Sequence, residues 1–163
     1  AVASIWCREK GWDDLMRLAA MLRKNEVLVM VGVTEEQRRM LPKNVIGICR
    51  TDNVDELAQL YSLAEVFLNP TWQDNYPTVN LEAIACGTPV VTYHTGGSIE
   101  AVTSRTGMVV EQGDVEAMLE AARTIIDRGK RFYQAPCRDY ALKHFDKDER
   151  YTDYLRLYDR LLK

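Results

Sequence analysis

Short apolar runs that alternate with stretches of helical periodicity are the feature that most constrains the fold of this 163-residue chain. The runs are apolar throughout, as in strands that are buried on both faces of a parallel sheet. Predicted strands cover residues 2–6, 26–31, 45–48, 64–68, 89–93 and 108–110. Because helical segments separate them, the pattern predicts an α/β fold: a Rossmann-like parallel sheet with helices on both faces.

The helical segments have recognisable ends. The spacing predicts helices over residues 13–24, 34–41, 53–62 and 77–86, and a short one near residue 98. Thr34 and Asn53 are typical N-cap residues. From Asp114 onward the chain reads as helix to its end, with breaks near Gly129, Pro136 and Asp146. The last helix, within residues 145–163, carries a Tyr and Leu stripe that either packs on its own domain or is left partly uncovered.

Composition excludes several classes of protein. Hydrophobic residues make up 47% of the chain and charged residues 28%, which is ordinary for one globular domain over residues 1–163. The net charge of −3 argues against a nucleic-acid surface. No apolar run reaches the roughly 18 residues of a membrane span. Four cysteines occur without a C-x-x-C pair, so we expect reduced thiols and a cytoplasmic protein.

Two acids flank the start of one predicted helix. Asp74 lies in a polar loop, Pro77 suits the first helical position, and Glu82 lies on the helix itself. The N–H groups of Thr78 and Val79 are then free to bind an anion. Thr78 and Glu82 are four residues apart and share one helix face. A phosphate at the helix tip and a diol one turn further on would both be held, which suits a nucleoside diphosphate.

Other polar residues follow the predicted strands. Lys10 follows the first, Arg50 the third, Asp74 the fourth, and Gly96 and Gly97 the fifth. Since parallel α/β sheets bind ligands at the carboxyl ends of their strands, we expect these residues around one crevice. The glycine pair either allows a tight turn or lets the backbone approach a ligand.

Longer motifs resemble a known family. They are R-E-K-G (8–11), R-T-D-N (50–53), L-A-Q-L-Y-S-L-A-E-V-F-L-N-P (57–70), D-N-Y-P-T-V-N-L-E-A-I-A-C-G-T-P-V-V (74–91) and T-G-G-S-I-E (95–100). Together they resemble the C-terminal, donor-binding domain of the family 4 (group 1) retaining glycosyltransferases, the C-terminal half of a GT-B fold. The family's Glu-x(7)-Glu spacing is kept, but Asp74 stands at the first position.

The resemblance implies a role for each site residue. Glu82 would accept hydrogen bonds from the ribose hydroxyls, Asp74 would contact the transferred sugar, and Lys10 would stabilise the leaving pyrophosphate. Arg8 would take the place of the family's arginine, which lies further upstream. The remaining donor contacts would come from Arg50, Thr51, Asn75, Tyr76, Thr78, Val79, Gly96 and Gly97.

The resemblance also implies an activity. The full enzyme would transfer a hexose or N-acetylhexosamine from a UDP- or GDP-sugar to a glycan or lipid-linked acceptor, in cell-surface polysaccharide assembly. The acceptor would bind an N-terminal domain outside this chain, so the domain alone would be inactive. The full-length protein would be cytoplasmic or peripheral at the inner face of the membrane. The alternatives are a nucleotide-binding regulatory module and a nucleotide-sugar epimerase of the same fold.

No metal or other cofactor is expected. Asp146-Lys147-Asp148 is an acid-x-acid triplet of the kind that holds a metal in other glycosyltransferases. It lies at the start of the last predicted helix, far along the chain from the crevice. There its expected role is to cap that helix and to offset its dipole.

Overall fold

The computed structural model describes residues 1–162, in which strands and helices alternate along the chain. The helices are α1 (Trp12–Ala20), α2 (Glu35–Met40), α3 (Val54–Leu63), α4 (Thr78–Ala85), α5 (Val115–Arg128), α6 (Lys130–His144) and α7 (Lys147–Leu161). The strands are β1 (Leu28–Val31), β2 (Val45–Ile48), β3 (Phe67–Asn69), β4 (Val90–Tyr93) and β5 (Gly107–Val110). Short 3-10 helices cover Arg8–Lys10 and Gly96–Ile99.

All strand pairs are parallel, as predicted. They form two hydrogen-bonded sheets, β1-β2 and β3-β4-β5, where the sequence suggested one. The strand predicted at residues 2–6 is wrong, because only a bridge between Val2 and Val31 forms there. Trp6 turns inward instead, and its indole Nε1 donates to the Val31 carbonyl at 2.9 Å. That contact ends the pairing and leads the chain into the 3-10 helix.

Helices flank the sheets and share a core with them. Leu15 of α1, Met30 of β1, Ile84 of α4, Val90 of β4 and Ile125 of α5 are all fully buried. Helix α4 packs on β3 and β4, and α5 packs on β4 and β5. The predicted α/β class with helix-flanked parallel strands is therefore confirmed.

The predicted helix ends are largely confirmed. Thr34 and Asn53 cap α2 and α3 through their side-chain oxygens, and Asp146 caps α7 by accepting from the Asp148 and Glu149 N–H groups at 3.0 Å. The break predicted at Pro136 is wrong, because α6 runs through it. The helix survives because Tyr133, Cys137 and Ala141, spaced four apart, are all buried along one face.

Helix α7 is exposed along its whole described length. Its apolar stripe of Tyr151, Tyr154, Leu155, Tyr158 and Leu161 lies on the surface, so the stripe is uncovered rather than packed on this domain. The sequence also predicts that the helix continues to Lys163, which lies outside the described residues. Across residues 1–162, no helix combines the length and apolar character needed to cross a bilayer.

Candidate functional site

A cleft of about 240 Å³ lies where β3 ends and α4 begins. Five predicted site residues line it, together with the segment before the first 3-10 helix. The lining residues are Val2, Ala3, Ser4, Lys10, Asn69, Asp74, Tyr76, Pro77, Thr78 and Val79. The structure therefore brings together residues that are about 65 positions apart in the chain.

The first turn of α4 supplies hydrogen-bond donors to this cleft. Pro77 is the N-cap rather than the first helical residue, so the predicted position was off by one. Its carbonyl accepts from the Asn80 N–H at 3.1 Å. Within the described residues 1–162, the N–H groups of Thr78 and Val79 donate to no other group. The free N–H groups and the positive end of the helix dipole together favour an anion here.

Lys10 and Asp74 form an ion pair at the cleft. The Nζ of Lys10 lies 2.7 Å from Oδ2 of Asp74, with 39% and 18% of the two side chains exposed. Gly11 makes this approach possible: its φ is 77°, and an added Cβ would lie 2.2 Å from the Pro70 carbonyl oxygen. The 3-10 helix is thereby pressed against the loop that follows β3, which carries Asp74.

Glu82 lies one turn below Thr78 on α4, half-buried and outside the lining of the cleft. Its Oε2 accepts a hydrogen bond of 2.9 Å from the hydroxyl of Tyr61 on α3. Tyr61 is 3% exposed, and its pKa is raised by burial and, to a lesser degree, by the charge of Glu82. Tyr61 therefore stays a neutral donor. Sequence reasoning missed this residue, although it lies within the quoted 57–70 motif.

A buried hydrogen-bond network holds the surrounding loops. The amide of Asn69 donates to Asn80 at 2.8 Å, and the amide of Asn80 donates to the carbonyl of Ser98 at 3.1 Å. The Ser98 hydroxyl lies 2.6 Å from that of Thr92, which donates to the Asn69 carbonyl at 2.9 Å. This ring joins β3, α4, β4 and the second 3-10 helix. The signal in the sequence was Asn80, a polar residue on a buried helix face.

Gly96 and Gly97 lie against the backbone of the loop that carries Asp74. A Cβ on Gly96 would lie 2.2 Å from the carbonyl oxygen of Asp74, and one on Gly97 would lie 1.9 Å from that of Asn75. Gly96 also has a φ of 41°. The backbone of residues 96–97 therefore packs against the loop and supports it, which is a structural role for the glycine pair.

Asp14, which the sequence did not single out, anchors the same loop from α1. Its buried carboxylate accepts from the Trp72 indole at 2.6 Å and from the Tyr93 hydroxyl at 3.1 Å. Burial, followed by the charge of Asp14, raises the pKa of Tyr93, so the hydroxyl remains protonated. Trp72 is therefore fixed two residues before Asp74.

Besides Glu82 and the glycine pair, four predicted site residues do not line the cleft. Arg8, Arg50 and Asn75 are exposed, and Thr51 is half-buried in the loop after β2. Arg8 belongs to the 3-10 helix that ends at Lys10. In residues 1–162, no side-chain hydrogen bond or ion pair joins these four residues to Lys10 or Asp74.

The parallel strands, the flanking helices and a cleft at the start of α4 are typical of a doubly wound α/β domain, a class that binds ligands at the carboxyl ends of its strands. The particular family follows from sequence. The model of the family described as glycosyl transferases group 1 matches residues 1–128, and the chain belongs to this family.

Named relatives are similar over most of the chain. The D-inositol 3-phosphate glycosyltransferase of Salinispora tropica is 30% identical over 170 residues, 91% of this chain and 35% of that protein. The protein of the same name from Mycobacteroides abscessus is 35% identical over 77% of this chain and 31% of its own length. CapM of Staphylococcus aureus, named a capsular polysaccharide biosynthesis glycosyltransferase, is 27% identical over 74% of this chain. The chain spans about a third of the length of these relatives.

Solved structures share the fold. A glycosyltransferase from Rickettsia africae matches 99% of this chain and 47% of its own with a TM-score of 0.84, at 16% identity. HepE of Anabaena in complex with UDP matches 98% and 48% with a TM-score of 0.82, at 20% identity. Sucrose-phosphate synthase from Thermosynechococcus elongatus matches 96% and 43% with a TM-score of 0.82, at 24% identity. These matches identify the fold as the C-terminal half of GT-B.

Proposed function

We propose that this chain binds the nucleoside diphosphate sugar donor of a retaining glycosyltransferase. The observation that carries the proposal is the α4 N-terminus, where the free N–H groups of Thr78 and Val79 and the ammonium of Lys10 line one cleft. A diphosphate supplies anionic oxygens, which backbone N–H groups at a helix N-terminus and a nearby ammonium group both bind. Membership of the group 1 glycosyl transferases supports the same class of ligand.

The rest of the donor extends from this cleft in two directions. On the α3 side, Glu82 follows Thr78 by one turn, and a carboxylate can accept from both hydroxyls of a ribose. On the other side, the transferred sugar reaches Asp74. The base lies toward Arg50 and Thr51, in the loop before α3. Arg8, Asn75 and Tyr76 add contacts at the rim of the cleft.

Catalysis in the full enzyme is mainly electrostatic. Negative charge that builds on the leaving diphosphate meets the N–H groups of α4 and the ammonium of Lys10, which are already oriented before the reaction. Since these groups carry the neutralising charge, the donor needs no divalent metal. The acceptor, a glycan or lipid-linked sugar, binds a part of the protein outside these residues.

Relatives and similar structures support the choice of probe and setting. HepE has been solved with UDP and with UDP-glucose, so UDP is the first nucleotide to test and GDP the second. The name of CapM supports a role in cell-surface polysaccharide assembly. For that role we propose a protein in the cytoplasm or held at the inner membrane face. A regulatory module that binds a nucleotide without transfer is the second candidate, favoured by Asp74 where the family has Glu.

Calorimetric titration of the chain with UDP tests the donor site. Glu82→Ala should weaken UDP binding about tenfold or more, because a charge-assisted contact to two hydroxyls contributes about 1.5–3 kcal/mol. For the same reason 2′-deoxyuridine diphosphate should bind the wild type more weakly than UDP. Glu120→Ala, which removes an exposed carboxylate on α5, is the matched control.

Two outcomes would contradict the proposal. Equal affinity for UDP and its 2′-deoxy analogue would exclude the ribose role of Glu82. A large loss of UDP affinity on adding a chelator, restored by magnesium or manganese, would exclude a metal-free site. Measuring sugar transfer by a protein that joins this chain to an acceptor-binding domain then separates an enzyme from a regulatory module.

A further inference from the structure

Contacts with other elements hold the ring and the backbone of Tyr61 in place. Its ring packs edge-on against Phe67 at 5.3 Å between centroids, and its carbonyl accepts from the Thr88 hydroxyl at 2.6 Å. Lys130 of α6 donates to the carbonyls of Ser62 and Ala64 on either side of the end of α3. Contacts from β3, from the turn before β4 and from α6 thus fix the position of the Tyr61 hydroxyl.

The Tyr61 hydroxyl is directed at one oxygen of the Glu82 carboxylate. The Tyr61 hydroxyl lies 2.9 Å from Oε2, and it is the one side-chain donor to that carboxylate within residues 1–162. A carboxylate has about four acceptor positions on its two oxygens. Because Tyr61 takes one of them on Oε2, the rotamer of Glu82 is held while Oε1 is left to accept from a ligand.

We infer that Tyr61 is a positioning residue for the ribose-binding carboxylate: its hydroxyl orients Glu82 so that Oε1 meets the ribose diol. The inference rests on the proposed function, since it needs Glu82 to bind a ribose. It goes further because it assigns ribose recognition to a pair of residues on two helices. A carboxylate held in place loses less side-chain entropy on binding than a free one.

The test is a double-mutant cycle with Tyr61→Phe and Glu82→Ala, titrated with UDP and 2′-deoxyuridine diphosphate. Phenylalanine keeps the ring against Phe67 and the carbonyl for Thr88, and removes only the hydroxyl. Tyr61→Phe should weaken UDP binding about three- to tenfold and narrow the preference for UDP over the deoxy analogue. In the Glu82→Ala background the same change should have no effect on binding.

Tyr133→Phe is the matched control, because Tyr133 is equally buried and its hydroxyl contacts Arg128 on the neighbouring helix. It should change neither affinity nor the preference between the two nucleotides.

Three outcomes decide between the inference and the proposed function. If the wild-type chain prefers UDP and loses that preference with Glu82→Ala, but Tyr61→Phe leaves the UDP affinity and the preference unchanged, the inference is overturned and the proposed function stands. If wild type shows no preference, the proposed function itself fails. A Tyr61→Phe effect of equal size in both backgrounds would also overturn the inference, since it would report general destabilisation.

Discussion

Replacing Asp74 by asparagine should tighten the binding of UDP, although Asp74 lies in the cleft. The carboxylate now holds the ammonium of Lys10 at 2.7 Å, and a diphosphate that needs this ammonium must compete with it. Asp74→Asn keeps the size of the side chain and removes the competing charge. It also removes the repulsion between a carboxylate and the incoming anion.

The exposure of the pair sets the magnitude. With 39% of Lys10 and 18% of Asp74 accessible, the pair falls among ion pairs that contribute about 0.2–1 kcal/mol. A ligand that displaces Asp74 gives up no more than this amount. We therefore expect UDP affinity to rise by up to about fivefold at low salt. Screening at about 0.1 M salt and above should shrink the gain.

Calorimetry at two salt concentrations measures the effect. Lys10→Met should weaken UDP binding, and in that background Asp74→Asn should gain less than it does alone. Asp127→Asn, which removes an exposed carboxylate near the C-terminal end of α5, should leave UDP affinity unchanged. A threefold or greater loss of affinity in Asp74→Asn, with unchanged thermal stability, would refute the reasoning. Asp74 would then orient Lys10 for the ligand instead of competing with the ligand for it.

Two further predictions concern stability. Gly97→Ala should lower the free energy of unfolding by about 1–3 kcal/mol in chemical denaturation, since its Cβ would lie 1.9 Å from the backbone oxygen of Asn75. Gly97 is not among the glycines with positive φ, so the cost is steric, and an unchanged free energy of unfolding would contradict the argument. The hydrogen bonds from Arg123, with a smaller contribution from the Arg23 N–H, lower the pKa of Glu26 to about 2. Because the folded-state pKa lies below the unfolded value, the stabilisation is complete above pH 5 and is lost toward pH 2. The melting-temperature gap between wild type and Glu26→Gln should therefore close over that range, and a gap that persists at pH 2 would contradict this assignment.

Much of the fold could be predicted because the signals are local. Thr34 and Asn53 predict the helix starts because their side-chain oxygens can cap a helix, and both caps are confirmed. The predictions fail where a distant contact decides the outcome. Trp6 replaces a strand with a side-chain hydrogen bond to Val31, and Pro136 remains helical because three buried neighbours hold α6 in place. Neither contact leaves a local trace in the sequence.

In the candidate site, too, the residues with local signals could be predicted and their distant partners could not. Residues within 74–82 could be placed from the sequence because a loop followed by a helix start fixes their order and face. The partners that hold them could not, because Tyr61, Asp14 and Ser98 reach the site from other elements. Spacing along the chain carries no information about which of many tyrosines or aspartates meets a given acid.

The structure also explains how a shorter acid can stand at position 74. The loop that carries Asp74 is supported by the backbone of Gly97 and anchored through Trp72, so its position does not depend on the length of the acid's side chain. In residues 1–162, every buried side-chain nitrogen or oxygen has a hydrogen-bond partner. A loop that is already satisfied needs little rearrangement to receive a ligand, so binding of the proposed diphosphate would spend little free energy on ordering the loop. Under that proposal Lys10 is the side chain that changes partner, exchanging the carboxylate of Asp74 for a phosphate oxygen.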